Sequence, residues 1–169
     1  MTAEQRSVAR RMAIGVAITV VVLSAAFASR VGPALPPPDR LAVALRIDLI
    51  LALWLAFAIG NVARRRFLSP ADIAGSGAGP PSDRLAPASA FLQNTLEQVV
   101  LAIPVHAALA LTLPRPLPVI ATLVALFSIG RWLFAAGYAR GAGARALGFA
   151  LTFYPTVAAL LVALYRSLF

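Results

Sequence analysis

Hydrophobic positions in this chain gather into five long runs instead of alternating with polar ones: Met12 to Ala28, Leu41 to Ala63, Phe91 to Leu113, Leu117 to Ala139 and Ala144 to Leu164. A helix needs about 20 apolar residues to cross a bilayer, and each run is of that order. The breaks carry turn-forming and charged residues: GPALPPPD after the first run, RRRFLSPADIAGSGAGPPSDR after the second, LPRP after the third and RGAGA after the fourth. The pattern predicts an all-α membrane protein with five spans and one long connection, Arg64 to Ala90. The first run also has the form of a signal peptide, with a basic start RSVARR and a small-residue stretch Ala26-Phe27-Ala28.

Composition agrees with the pattern and removes several function classes. Hydrophobic residues make up 60% of the 169 positions, charged residues 12%, and the mean hydropathy is +0.85, beyond what a soluble domain of this size carries. The net charge of +9 comes from fifteen arginines, with no lysine, against six acids. These arginines flank apolar runs and form no basic domain, so nucleic acid is excluded as a partner. The absence of cysteine excludes a disulfide framework, a thiolate metal site and a cysteine nucleophile. Any thiol chemistry must come from a bound ligand.

Arginine asymmetry predicts orientation. Arg6, Arg10, Arg11, Arg64, Arg65, Arg66, Arg84, Arg140 and Arg145 fall on one side of the five spans, and Arg30, Arg40, Arg115 and Arg166 on the other. The positive-inside rule makes the first side cytoplasmic, with the N-terminus inside and the C-terminus outside.

A few polar residues interrupt the spans. Asn94 and Glu97 lie three apart and project from one helical face, to hold either a polar ligand or a neighbouring helix. Arg131, Phe134 and Tyr138 form a stripe on the fourth span, with Glu97 as the expected partner of Arg131 if the stripe is structural. Arg145 opens the fifth span across the RGAGA hinge and can point back to that stripe, or serve as an ordinary basic flank. Arg64, Arg65 and Arg66 close the second span and are either an orientation signal or ligand contacts, with Asn61 on the face of Arg64 and Arg65. Arg46 and Asp48 read as packing polars. His106, beside Pro104, is expected to bond a backbone carbonyl freed by the kink and not a metal.

Three segments together resemble the family of membrane-associated proteins in eicosanoid and glutathione metabolism (MAPEG), which includes the microsomal glutathione transferases. They are Ala63-Arg64-Arg65-Arg66-Phe67 followed by Ser69-Pro70, the stretch Phe91-Leu92-Gln93-Asn94-Thr95-Leu96-Glu97 with its Asn-x-x-Glu signature, and Gly137-Tyr138-Ala139-Arg140 followed by Arg145. The resemblance covers about Leu41 to Phe169. It implies a four-helix transmembrane bundle assembled as a homotrimer, here residues 41–169, preceded by an extra N-terminal transmembrane helix and linker, residues 1–40.

The resemblance further implies glutathione as co-substrate, bound between subunits on the cytoplasmic side by Arg64, Arg65, Asn94, Glu97, Arg131 and Tyr138, with Arg145 facing the sulfur as the catalytic residue. Residue chemistry suits that ligand: arginines match its two carboxylates, Glu97 its ammonium and Asn94 its peptide. A cation beside the thiol lowers a pKa that starts near ~8.5. The sequence departs from the family pattern in carrying Gln93 and Ala90 where an arginine is common, and Gln98 and Phe134 where tyrosines are common. Two functions follow. One is a glutathione transferase or peroxidase acting on hydrophobic electrophiles or lipid hydroperoxides in a bacterial inner membrane. The other is a non-catalytic member that binds a lipid or small molecule.

Overall fold

A computed structural model describes residues 1–75 and 79–169 as five long helices with no strand among the described residues: α1 (Ala3–Ala28), α2 (Pro37–Phe67), α3 (Ala86–Thr112), α4 (Leu117–Gly137) and α5 (Ala142–Leu168). A single 3-10 turn, Tyr138–Arg140, joins α4 to α5. All five helices are long and apolar enough to cross a membrane.

Four of the helices extend beyond their apolar runs at one or both ends, and α4 starts with its run at Leu117 but ends two residues short of Ala139, because caps and prolines set the ends of a helix while hydropathy reports only the lipid-facing part. α1 begins nine residues before Met12, where Thr2 and Gln5 form a capping box: Thr2 Oγ1 accepts from the Gln5 amide at 3.2 Å and the Thr2 amide donates to Gln5 Oε1 at 2.8 Å. α2 opens on Pro37 and Pro38, whose fixed φ suits a first turn, and closes on Arg64, Arg65 and Arg66, which complement the negative end of its macrodipole. Gly141, at φ 92°, lets the chain reverse into α5.

Helices α1, α3 and α5 run one way and α2 and α4 the other, so the ends rich in arginine meet at one end of the bundle. α5 lies between α4 and α1, while α2 packs on α3. Small residues make the close crossings: Gly148 of α5 faces the Phe134 backbone of α4, and Gly15 of α1 faces Ala150 of α5. Leu109, Val119, Leu123 and Ala159 fill the core towards the end away from the arginines. Leu51, Val99, Ile120, Val124 and Phe127 fill the middle, and Ala58, Phe91 and Phe134 lie at the arginine-rich end.

The interior is mostly apolar but holds several polar side chains, and the outside differs from that of a soluble protein. Leu49, Leu53, Phe57, Val100, Ile129, Trp132 and Leu161 are exposed on the helix shafts. Asp48, Thr95, Gln98, His106, Arg131 and Thr152 are buried. Apolar outside, with the polar side chains kept inside, is the arrangement that lipid demands, and the chain is an integral membrane protein.

Asp48 and His106 form a pair that sequence reading left apart. His106 Nδ1 lies 2.6 Å from Asp48 Oδ1, with the side chains 1% and 4% exposed. The His106 partner is therefore a carboxylate from α2 and not a carbonyl of its own kinked helix. The α2–α3 contact is further tied by Arg40, whose Nη1 donates to the Leu113 carbonyl. Removing one member of the pair, as in His106→Ala or Asp48→Ala, is expected to cost about 3–5 kcal/mol, because the other is left buried without a partner. Replacing both with leucine is expected to cost much less. Unfolding of the detergent-solubilised variants measures the difference, and a double variant damaged by the sum of the two single losses would refute a paired role.

Candidate functional site

The arginine-rich end is organised around Arg131, whose side chain is 0% exposed inside the bundle. An arginine stays charged and demands acceptors wherever it is buried. Its Nη1 donates to Asn94 Oδ1 of α3 at 2.7 Å and its Nη2 to Thr152 Oγ1 of α5 at 2.7 Å. The faces of two rings complete its surroundings, with its guanidinium carbon 4.8 Å from the centre of Phe134 and 5.7 Å from that of Phe127. No carboxylate lies within ion-pair distance of it among the described residues. The expected Glu97 partner is replaced by Asn94, one turn earlier on α3 and turned inward, and by Thr152.

Phe134 continues the chain of contacts. Its ring meets Tyr138 edge to face at 5.7 Å, and the Arg145 guanidinium lies 4.7 Å from the centre of the Tyr138 ring. Arg131, Phe134, Tyr138 and Arg145 thus form one cation–aromatic ladder from the buried interior to the hinge. Phe134 is a phenylalanine in keeping with its place, since its buried ring packs between Arg131 and Tyr138.

Hinge geometry puts Arg145 there. A Cβ on Gly137 would come within 2.7 Å of the Ala144 carbonyl and 2.8 Å of the Arg145 amide, so the first turn of α5 can lie against the end of α4 only because residue 137 is glycine. Arg145 is partly buried, with its guanidinium directed back over α4.

The other sequence-derived residues share this end without joining the ladder. Glu97 is exposed on the outer face of α3, where Gln93 Nε2 donates to its Oε1 at 2.9 Å. Arg64 and Arg65 are exposed at the end of α2. Arg65 donates from Nε to Asn61 Oδ1 at 3.2 Å and from Nη1 to the Arg84 carbonyl at 2.9 Å. With Arg84, Leu68 and Pro70 they line a cleft of about 310 Å³, at the small end of ligand pockets, which run to roughly 300–1,000 Å³. Glu97 makes no hydrogen bond to Tyr138 or Arg145 within the chain among the described residues. One protomer therefore presents an inward ladder, an outward carboxylate and a basic cleft at the same end.

Two groups that periodicity could not find also shape this end. Thr152, an unremarkable hydroxyl in the sequence, is a buried acceptor for Arg131. Asp72 ties the long connection together: its Oδ2 accepts from Ser69 Oγ and Ser82 Oγ at 2.7 Å each, and its Oδ1 from the Ser82 amide at 2.9 Å. Those bonds, from Ser69 first and Ser82 next, hold the Asp72 carboxyl below its usual value of 3.8 against the opposing effect of burial.

This combination defines an integral membrane helical bundle with a cluster of polar and charged residues at its arginine-rich end. A model of the MAPEG family matches residues 41–165. The chain belongs to that family, the membrane-associated proteins in eicosanoid and glutathione metabolism. The matched residues comprise α2 to α5 up to Tyr165 and leave α1 outside. Comparison with curated proteins and with solved structures gives no match.

A carboxyl whose pKa is lowered by folding stabilises the fold above its unfolded pKa, and the stabilisation fades as pH falls through the lowered value. The Asp72 knot is therefore expected to hold from neutral pH down to the usual carboxylate range and to open only below it. The Ser82 amide resonance, followed from about pH 7 to about pH 2.5, should move only at the acid end. In Asp72→Asn it should sit away from its native position at every pH, and a shift centred near neutrality would contradict the assignment.

Proposed function

We propose that the protein is a membrane glutathione transferase or peroxidase, working as a homotrimer whose sites lie between subunits on the cytoplasmic side. The observation that carries this reading is the Arg145 guanidinium held 4.7 Å from the Tyr138 ring at the end of the ladder. A cation fixed there can face a thiol supplied by glutathione, and the chain has no thiol of its own. Exposed Glu97 is suited to the glutathione ammonium, and Arg64 and Arg65 to its carboxylates, whether from the same subunit or a neighbour. Asn94, oriented by Arg131, offers its amide to the peptide. Because Arg131 is wholly buried, its part is to orient Asn94, and any direct contact with glutathione would need the node to open.

Chemistry at such a site is modest and specific. Lowering a thiol pKa from ~8.5 by about 2 units takes about 2.7 kcal/mol of preferential interaction with the thiolate and raises its fraction at pH 7 from about 3% to about 75%. The thiolate sulfur then attacks a hydrophobic electrophile arriving from the lipid, forming a C–S bond as a leaving group departs or as the adjacent carbon takes up a proton. On a lipid hydroperoxide it attacks the terminal oxygen, the O–O bond breaks, and the alkoxide leaves with a proton as the lipid alcohol. A second glutathione then converts the sulfenic acid to glutathione disulfide and water. The nine arginines flanking this end support a cytoplasmic location for it, where a bacterial inner membrane would give access to glutathione.

A second reading is a non-catalytic member that holds a lipid. It is favoured by the apolar groove between α2 and α4, lined by Ile50, Leu53, Trp54, Phe57 and Trp132, and by Gln93, which is engaged with Glu97 where the family pattern has a cation.

Thiolate absorbance of glutathione titrated into the purified protein separates the two. The enzyme reading expects a thiolate band at neutral pH in the wild type and its fall towards the level of free glutathione in Arg145→Ala. A wild type without the band would sink it.

A further inference from the structure

The N-terminal helix lies outside the family match, yet it reaches the hinge that carries Arg145. The N-cap of α5 is Gly141, which has no side chain to cap the free amides of the first turn. The cap comes from α1: Glu4 Oε1 accepts from the Ala142 amide at 3.2 Å. An acid at this place also meets the positive end of the α5 macrodipole.

The position of Glu4 is set by its neighbours on both sides. The Thr2–Gln5 capping box fixes the first turn of α1, so that Glu4 and Ser7 share the face turned to α5. Ser7 packs against Gly143, where an added Cβ would meet Ser7 Oγ at 2.8 Å. Further along, Gly15 lies so close to Ala150 that an added Cβ would stand 2.4 Å from the alanine methyl. Contacts at Ala142, Gly143 and Ala150 follow α1 and α5 in the same direction, and α1 is thereby clamped alongside the hinge.

We propose that Glu4 is a positioning residue: from α1 it caps α5 and holds the Gly141 hinge in the geometry that keeps Arg145 over Tyr138. Its effect on the Arg145–Tyr138 contact stands on the structure alone, while its effect on glutathione thiolate rests on the function proposed above. In this account the added helix of this chain is a strut for the site and not only an extra anchor in the membrane.

The test uses the full chain in lipid nanodiscs, labelled with 3-fluorotyrosine. Tyr138→Phe assigns the Tyr138 fluorine resonance, and Arg145→Ala gives its position without the cation. In Glu4→Ala the Tyr138 resonance should move towards the Arg145→Ala position, and the amides of residues 142–145 should exchange about 2- to 5-fold faster, the loss expected for a helix cap. Glu4→Gln retains a side-chain oxygen for the Ala142 amide and should fall between wild type and Glu4→Ala. Unmoved resonances of Tyr154 and Tyr165 would show that the bundle is intact.

A Tyr138 resonance that stays at its wild-type position in Glu4→Ala overturns the proposal, including when hinge exchange rises. With glutathione present, Glu4→Ala should lower the thiolate band along with the shift. Absence of the band from the wild type would refute the glutathione reading, while the Tyr138 resonance would still decide the role of Glu4.

Discussion

Burial of one arginine organises the arginine-rich end of this bundle. The Arg131 guanidinium cannot be left in an apolar interior without acceptors and ring faces, since an uncompensated charge there costs several kcal/mol. Asn94 and Thr152 supply acceptors to its two terminal nitrogens from α3 and α5, Phe127 and Phe134 supply ring faces from α4 itself, and its Nε has no hydrogen-bond partner among the described residues. Three helices are thus held at one level by a single side chain. Asn94, fixed by this bond, presents the rest of its amide in a set orientation.

From that node order passes outward through aromatic rings. Phe134 transmits the position of Arg131 to Tyr138, and Tyr138 receives Arg145 across the hinge. The ladder reaches from the fully buried interior to the partly exposed turn that carries Arg145. Glycines at 137 and 141 allow the turn, and Glu4 of the added helix caps the helix that follows it. Membrane-spanning proteins commonly reserve polar residues for such interior networks. Here the network runs to the hinge and sets where Arg145 sits.

The fold was largely legible in the sequence because lipid imposes a crude requirement: five apolar runs of spanning length become five helices. Helix ends were less legible, since Thr2, Pro37 and Gly141 act through caps and backbone angles that hydropathy does not register. Of the site, the stripe of Arg131, Phe134 and Tyr138 follows from helical period, as does the shared face of Asn94 and Glu97. Periodicity cannot say which of two residues one turn apart faces inward, so Glu97 was the expected partner where Asn94 is the actual one. Asp48 with His106, Thr152 with Arg131 and Glu4 with Ala142 join residues from different helices, and no local pattern announces them.

The most direct test of this account is a double-mutant cycle on Arg131→Met and Asn94→Ala, read from the unfolding free energy of the protein in detergent. A hydrogen bond to a buried charge should appear as a coupling of about 1.5–3 kcal/mol, with the double variant less damaged than the sum of the two single ones. Additive losses, within about 0.5 kcal/mol, would contradict the claim that this bond holds the arginine-rich end together.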